Sequence, residues 1–144
     1  MKLLFYYSQY WLLFLFSFFA TFIMLSGLTL AGGGETIGIK IMEKEVGGKY
    51  LADGKNITLY YSIKDEKNVS NCFEGCAVNW PPFYIGSSTR IEGLEPKDFT
   101  TIRRIDGRLQ TTYKSMPLYY FKNDNYPGDT FGLGLGDKWF MVTP

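Results

Sequence analysis

Apolar and polar residues alternate early in the chain, past an apolar N-terminal region, in the pattern of β-strands that bury one face. Residues 37–46 alternate in this way up to Gly47-Gly48, a pair that favours a hairpin turn. A second strand leads to Asp53-Gly54, another turn signal, and residues 57–63 form a third apolar run. This order predicts a small antiparallel meander of three strands.

The same plan returns later in the chain. Residues 99–105 predict a strand, Asp106-Gly107 predicts a turn, and residues 108–113 and 116–121 predict two more strands. A last strand is predicted at residues 139–142. The chain after residue 34 is therefore predicted to be mainly β.

A duplicated phrase shows that the two meanders are copies of one unit. LYYSIKD at residues 59–65 returns as LYYFKND at residues 118–124, a spacing of 59 residues. The same shift without gaps aligns further pairs: Gly48 with Gly107, Lys55 with Lys114, and Trp80 with Trp139. We interpret the two copies as repeat units of about residues 37–85 and 97–144.

Neither meander can bury its apolar face alone, so the two copies are expected to pack around one shared core. The residues most suited to a pseudo-twofold interface are the duplicated aromatics Tyr60, Tyr119, Trp80 and Trp139. The predicted fold is two pseudo-repeated antiparallel meanders packed into one small domain.

The copies diverge after the LYY strand. In the first copy, Ser70 or Asn71 is expected to cap a short helix at the cysteine segment, which Pro81 ends. The second copy has a glycine-rich loop at the equivalent place. Residues 86–96 connect the copies and are expected to be solvated.

Residues 1–34 differ from the rest of the chain in being almost entirely apolar, aromatic or small. Residues 12–30 form an unbroken run of apolar and small residues, preceded by an aromatic cluster and by Lys2. A secretory signal has an apolar core of roughly 7–15 residues, whereas a membrane span needs about 20. We expect an N-terminal hydrophobic helix, a signal-anchor or a signal peptide, followed by a Gly32–Gly34 tether and the exported domain of residues 35–144.

Composition excludes several classes of function. The chain has 15 Lys and Arg against 14 Asp and Glu, with no basic stripe, so no nucleic-acid surface is expected. The chain contains no histidine, which excludes Ser-His-Asp and Cys-His catalytic sites and histidine-bound metals. No metal or cofactor is predicted.

The chain has only two cysteines, Cys72 and Cys76. Their spacing on one helical turn and the oxidising exterior favour a structural disulfide over a redox-active dithiol. Two glycosylation sequons, at Asn56 and Asn68, fall on predicted turns.

These residues resemble the secreted repeat of unknown function family, also described as predicted lipoproteins with a Y-x-[FWY]-x-x-D motif. The second copy matches the motif with Tyr119, Phe121 and Asp124, whereas the first has Tyr60 and Asp65 with Ser62 in the aromatic slot. The match extends over about residues 40–143 and includes the cysteine segment. The resemblance implies an extracytoplasmic location and a two-repeat architecture, and the family carries no established activity.

The chain departs from the family pattern at two places. No cysteine lies near Ala31 for lipidation, so anchoring would depend on the apolar segment. Phe140 stands where the family often has a histidine after the last tryptophan, so no metal or acid-base role attaches to that position.

The tyrosine and aspartate of the motif have two interpretations. Exposed aromatic rings beside a carboxylate would suit a sugar-binding face. Alternatively, the ring faces the core and the aspartate at the strand end caps the following turn, which the pattern favours. The glycine-rich half also contains acidic and amide residues that could ligate calcium, namely Asp124, Asn125, Asp129 and Asp137. Their spacing fits ordinary turns better than a calcium-binding loop.

We therefore expect a non-enzymatic, envelope-associated domain with a binding or structural role on the cell exterior. The expected partners are the membrane, through the N-terminal segment, and cell-envelope polymers or other envelope proteins. A second hypothesis is a redox or electron-transfer accessory, suggested by the cysteine pair and by 12 Phe, 11 Tyr and 3 Trp. An enzyme stays an open alternative, for which the sequence offers no catalytic residue set.

Overall fold

A computed structural model describes residues 36–86 and 89–144. The predicted N-terminal hydrophobic helix, with its Gly tether, lies outside these residues. Within the described ranges, no helix is long and apolar enough to span a membrane.

The described chain is mainly β with one short helix, as predicted. The strands are β1 (Thr36–Lys44), β2 (Gly48–Asp53), β3 (Tyr60–Ser62), β4 (Thr89–Ile91), β5 (Phe99–Arg103), β6 (Leu109–Tyr113), β7 (Met116–Pro117) and β8 (Trp139–Met141). The helix α1 spans Gly75–Asn79, and single 3-10 turns lie at Pro96–Asp98 and Leu135–Asp137.

Each copy begins with a hairpin. β1 pairs antiparallel with β2, and β5 pairs antiparallel with β6. The turn glycines Gly47 and Gly107 have φ of 113° and 82°, a backbone conformation that a side chain disfavours. β7 then pairs with β6, and a bridge between Ala52 and Thr58 holds the equivalent segment on β2. Each copy therefore forms the predicted meander, with a much shorter third strand than expected.

Backbone hydrogen bonds correct the alignment of the copies. The Leu59 N–H donates to the Leu51 carbonyl, and the Leu118 N–H makes the same bond to Thr111. Leu51 is thus the counterpart of Thr111, so the first copy has one extra residue in the turn before its LYY phrase. In the hairpins Gly47, rather than Gly48, matches Gly107.

The two copies exchange their last strands, an arrangement that the sequence does not indicate. β3 of the first copy pairs antiparallel with β8 of the second. In return, Pro82 of the first copy forms a bridge with Tyr119 of the second. At the centre, the N–H groups of Tyr60 and Tyr119 each donate to the other's carbonyl at 2.9 Å. The LYY strands therefore lie at a pseudo-twofold axis and join the copies directly.

Most described residues of the connection between the copies are exposed, as expected, but part of the connection pairs with the sheet. β4 runs parallel to β1, and the Glu92 N–H donates to the Ile39 carbonyl at 2.9 Å. Leu94 packs against the core of the domain. The backbone of this connection therefore pairs with the edge of β1 that β2 leaves open.

The cap of α1 also differs from the prediction. Glu74, with φ of 51°, precedes the helix, and no side chain caps it. Ser70 and Asn71 lie further upstream and make other contacts, described below. The helix ends at Asn79, just before Trp80 and Pro81, as expected.

The core consists of two clusters, and each contains residues from both copies. The first is rich in aromatics and consists of Tyr50, Ala52, Tyr60, Cys72, Trp80, Tyr119, Phe121, Trp139 and Met141. The second is mostly aliphatic and consists of Ile39, Leu51, Leu59, Phe83, Tyr113, Leu118 and Val142. Neither copy forms a separate core, because the exchanged strands bring residues of both copies into each cluster.

Candidate functional site

The duplicated aromatic residues meet at the pseudo-twofold axis. The rings of Trp80 and Trp139 stack with centroids 3.8 Å apart and planes 7° apart. Tyr60 meets Trp80 edge-on at 5.5 Å, and Tyr119 meets Trp139 edge-on at 5.1 Å. All four side chains are buried, so this stack is part of the core and not an exposed platform.

Each motif tyrosine bonds to the motif aspartate of the other copy. The Tyr60 hydroxyl donates to Asp124 Oδ2 at 2.5 Å, and the Tyr119 hydroxyl donates to Asp65 Oδ2 at 2.6 Å. The tyrosines come from the strands at the axis, and the aspartates come from the turns that follow those strands. The motif therefore encodes two reciprocal bonds between the copies.

The second oxygen of each aspartate holds a loop. Asp124 Oδ1 accepts the Phe131 N–H at 2.9 Å, and Asp65 Oδ1 accepts the Asn71 N–H at 2.7 Å. The glycine-rich loop and the cysteine segment are thus fixed in equivalent ways. This geometry corresponds to the structural interpretation of the motif.

Burial sets the protonation of these groups. It raises the pKa of both Asp65 and Asp124 above the ordinary carboxyl value, although their tyrosine partners act in the opposite direction. Burial, with the bonded carboxyl groups, also raises the pKa of Tyr60 and Tyr119. The phenols therefore remain protonated donors across the physiological pH range.

A cation supports each half of the site, a buried arginine in one half and a partly buried lysine in the other. Arg104 is 5% exposed and donates from Nη1 to Ser70 Oγ and Gln110 Oε1, each at 2.6 Å. Its Nη2 donates to the Cys72 carbonyl and to Asp106 Oδ2. Ser70 Oγ in turn lies 2.7 Å from the Tyr119 hydroxyl, so the arginine connects the cysteine segment to the motif.

Lys44 has the same place in the other half. Its Nζ donates to the Gly128 carbonyl and to Thr130 Oγ1, each at 2.9 Å. Sequence reasoning missed both cations, because an arginine and a lysine at the end of a strand usually signal solvent. A shift of 60 residues, which the structure assigns to the hairpins, would have aligned them.

The aromatic slot of the motif is filled in different ways. Phe121 packs on Trp80 with centroids 4.6 Å apart. A Cβ atom on Gly132 would lie within 3.0 Å of the Phe121 Cβ and still closer to the Tyr60 and Trp80 rings. By the equivalent aspartate bonds, the counterpart of Gly132 in the first copy is Cys72. The second copy thus combines phenylalanine with glycine, and the first combines serine with cysteine.

The predicted disulfide is confirmed. Cys72 and Cys76 are joined with S–S of 2.01 Å and Cα atoms 5.2 Å apart. Cys72 is 2% exposed and belongs to the aromatic cluster, with Cys76 packed against it. The disulfide therefore lies against the aromatic cluster of the core.

The two sequon asparagines lie on turns in the left-handed region. Asn56 has φ of 69° and is partly buried, and the Thr58 hydroxyl of its sequon is buried, donating to the Asp129 carbonyl. Asn68 has φ of 59° and is exposed. Glycosylation at either position stays a prediction, and the exposed Asn68 is the more accessible acceptor.

The acidic residues considered for calcium act in turns. Asp129 Oδ2 accepts the N–H groups of Asn125 and Tyr126 at 3.0 and 2.9 Å, whereas Asp137 lies in a 3-10 turn. In the described part of the chain, no three Asp, Glu or Cys residues are grouped as metal ligands. Every buried side-chain nitrogen and oxygen there has a hydrogen-bond partner. The arrangement can hold loops in place.

Comparison with known proteins adds one finding. A family model described as "Secreted repeat of unknown function" matches residues 41–84 and again residues 100–143. No curated protein and no solved structure gives a significant match. The two matched segments correspond to the two copies that exchange strands, and the family description supports an extracytoplasmic location. The chain therefore belongs to the family of secreted repeats of unknown function and carries two copies of the repeat.

Proposed function

We propose that this protein is a non-enzymatic binding domain that acts on the outer side of the cell membrane, either anchored by its N-terminal segment or released. Cell-envelope polymers are the proposed partners, with other envelope proteins as the further possibility. No nucleic-acid partner is proposed, since the charge is balanced.

One observation carries the proposal: the residues of the family motif contact each other inside the fold. The motif tyrosines and aspartates bond to each other across the copies, and the tryptophans stack. Because the motif residues form a rigid scaffold, binding is expected to involve the loops that this scaffold positions.

Those loops present exposed side chains of the kind that binding surfaces use. Tyr126 and Phe131 of the glycine-rich loop are 73% and 65% exposed, and Phe73 of the cysteine segment is 44% exposed. Aspartate bonds fix both loops, which lowers the entropy lost when they engage a partner.

Co-sedimentation tests the proposal. The full chain, purified from the host's membranes in detergent, is mixed with insoluble envelope material of the same host. We expect saturable binding without release of soluble products, weakened by Tyr126→Ala or Phe131→Ala. A protein that stays in the supernatant, or that releases products from the material, contradicts the proposal.

The alternative is a redox or electron-transfer accessory. The observation that favours it is the position of the disulfide, which packs in the same cluster as the stacked tryptophans. A visible absorption band in protein isolated from its own host would support this alternative. A colourless protein whose disulfide resists mild reductants would count against it.

A further inference from the structure

Strand β5 of the second copy has an open outer edge. It is an edge strand of the three-stranded sheet that it forms with β6 and β7, and its residues Thr100, Thr101 and Arg103 are exposed. Within the described residues, no strand and no isolated bridge pairs with this edge. An open edge presents unpaired backbone N–H and carbonyl groups, so it can pair with another extended chain.

The register shows which backbone groups of β5 face this edge. The Lys114 N–H donates to the Asp98 carbonyl at 2.8 Å. In an antiparallel pair such bonded positions alternate along the strand, so the even-numbered residues of β5 bond to β6. The Phe99 carbonyl and the backbone N–H and carbonyl of Thr101 therefore point to the open edge.

The first copy shows how the same edge is covered. The shift of 60 residues that aligns the hairpins makes Ile39 of β1 the counterpart of Phe99. On β1 this edge pairs with the parallel strand β4, and the Glu92 N–H donates to the Ile39 carbonyl at 2.9 Å. In the described part of the chain, no N–H donates to the Phe99 carbonyl. Strand β4 is therefore a template for a segment that would occupy β5.

A groove of about 250 Å³ lies beside the open edge. It is lined by both apolar and hydroxyl-bearing residues, which include Ile85, Ile91, Pro96, Phe99, Thr101 and Thr111. Paired residues on neighbouring strands have their side chains on the same face, so a residue paired with Phe99 would direct its side chain to the groove. The volume is below the roughly 300 Å³ at which small-molecule pockets begin, which suits an aliphatic side chain better than a free ligand.

We propose that β5 binds an extended segment of a different protein by strand addition. The segment runs parallel to β5, donates a backbone N–H to the Phe99 carbonyl and places an aliphatic side chain in the groove. Its chemistry follows from β4, in which Ile91 pairs with Ile39 and the next residue supplies the N–H. Main-chain hydrogen bonds give affinity in this mode of recognition, and the side-chain pocket gives specificity.

Two features of the chain favour a different protein over a second copy. A twofold dimer through this edge would pair β5 with itself in the antiparallel direction, whereas the template on β1 is parallel. The β4 segment of a second copy is already paired with its own β1. The inference goes beyond the proposed binding of envelope polymers, because it adds a protein partner on residues other than those of the exposed loops.

A peptide copied from the template tests the proposal. The probe is TRIEGLE, the sequence of residues 89–95, with blocked ends and a fluorescent label, and its binding to the full chain in detergent is followed by fluorescence polarisation. We expect saturable binding with a Kd of about 100 µM or tighter. Methylating the backbone nitrogen that corresponds to Glu92 removes the donor to Phe99 and should weaken binding about tenfold. Methylating the nitrogen that corresponds to Ile91, which points to the opposite edge, is the matched control.

A substitution in the protein locates the binding site. Thr101→Lys places a charged side chain in the groove and should weaken binding of the probe at least about tenfold, because lysine protects strand edges from pairing. A probe that displaced β4 from β1 would not respond to this change. Thr143→Lys is the matched control, because Thr143 is exposed and does not line the groove.

Three results would overturn the inference: no binding of the probe, equal binding of the two methylated probes, or an unaffected Thr101→Lys variant. Sedimentation velocity of the full chain examines the other occupant. If the chain forms a dimer that Thr101→Lys dissociates, a second copy occupies β5 and the proposal of a different protein is wrong. If Thr101→Lys fails to fold, the pair of methylated probes still decides the question.

Discussion

Replacing Tyr60 or Tyr119 by phenylalanine removes the donor hydroxyl of one of the two reciprocal bonds between the copies. Each hydroxyl is buried and donates to a carboxyl group at 2.5 or 2.6 Å. Hydrogen bonds to charged groups contribute about 1.5–3 kcal/mol, and the aspartate left behind keeps only its loop N–H. We expect each single substitution to lower the free energy of unfolding by about 1.5–3 kcal/mol.

Urea denaturation measures this loss. With a slope of about 1–3 kcal/mol per molar urea, a loss of this size moves the midpoint by about 1 M at an unchanged slope. Tyr126→Phe is the matched control, because Tyr126 is 73% exposed and the change should leave the midpoint where it is.

The two substitutions should also cost similar amounts, since the bonds are equivalent by the pseudo-twofold axis. A loss below about 0.5 kcal/mol for either tyrosine, in the range of ordinary surface substitutions, would refute the role of the motif as the link between the copies.

Three further predictions follow from the same contacts. Gly132→Ala should destabilise the fold by about 1–3 kcal/mol in urea denaturation, because its Cβ would lie within 3.0 Å of three side chains, whereas Gly75→Ala meets open space and should be neutral. Reduction of Cys72–Cys76 should cost about 2 kcal/mol, the chain-entropy value for so small a ring, and an unchanged midpoint in reductant would contradict this. Burial raises the pKa of both motif aspartates, so the folded state binds more protons than the unfolded state, and the free energy of unfolding should fall as pH rises from 3.8 through the raised values. Changing both aspartates to asparagine should flatten that fall in pH-dependent denaturation, and an unaltered pH dependence would refute the assignment.

Much of the architecture follows from local patterns in the sequence. Alternation and glycine turns predict the two hairpins, and the LYY phrase predicts the duplication. The closeness of Cys72 and Cys76 in the chain and the oxidising exterior predict the disulfide, although Cys72 precedes the helix and does not lie on one helical turn with Cys76. Each of these features depends on residues that are close together in the chain.

The exchange of strands could not be predicted in this way. Both copies have the same LYY phrase, so the sequence does not say whether Tyr60 bonds to its own aspartate, Asp65, or to Asp124 of the other copy. The choice depends on the path of the loops between the strands, which is a property of the whole fold. The burial of Arg104 is hidden for the same reason, because its partners Ser70 and Cys72 are far away in the sequence.

Divergence between the copies concealed the remaining features. The ungapped shift aligned Gly48 with Gly107, although one extra residue in the first copy makes Gly47 the counterpart. The strand β4 was not predicted from the sequence, because the connection that contains it is polar and has only Ile91 and Leu94 as large apolar residues.

Fragment complementation tests most directly the central claim that the two copies form one core by exchanging strands and side chains. The chain is produced as two separate pieces, divided between residues 87 and 88, and each piece is followed by circular dichroism and by amide exchange. We predict that neither piece folds alone and that an equimolar mixture regains the native spectrum and the protection of the Tyr60 and Tyr119 amides, whose acceptors lie on the other piece. A piece that folds alone, with its tyrosine amide protected, would contradict the claim.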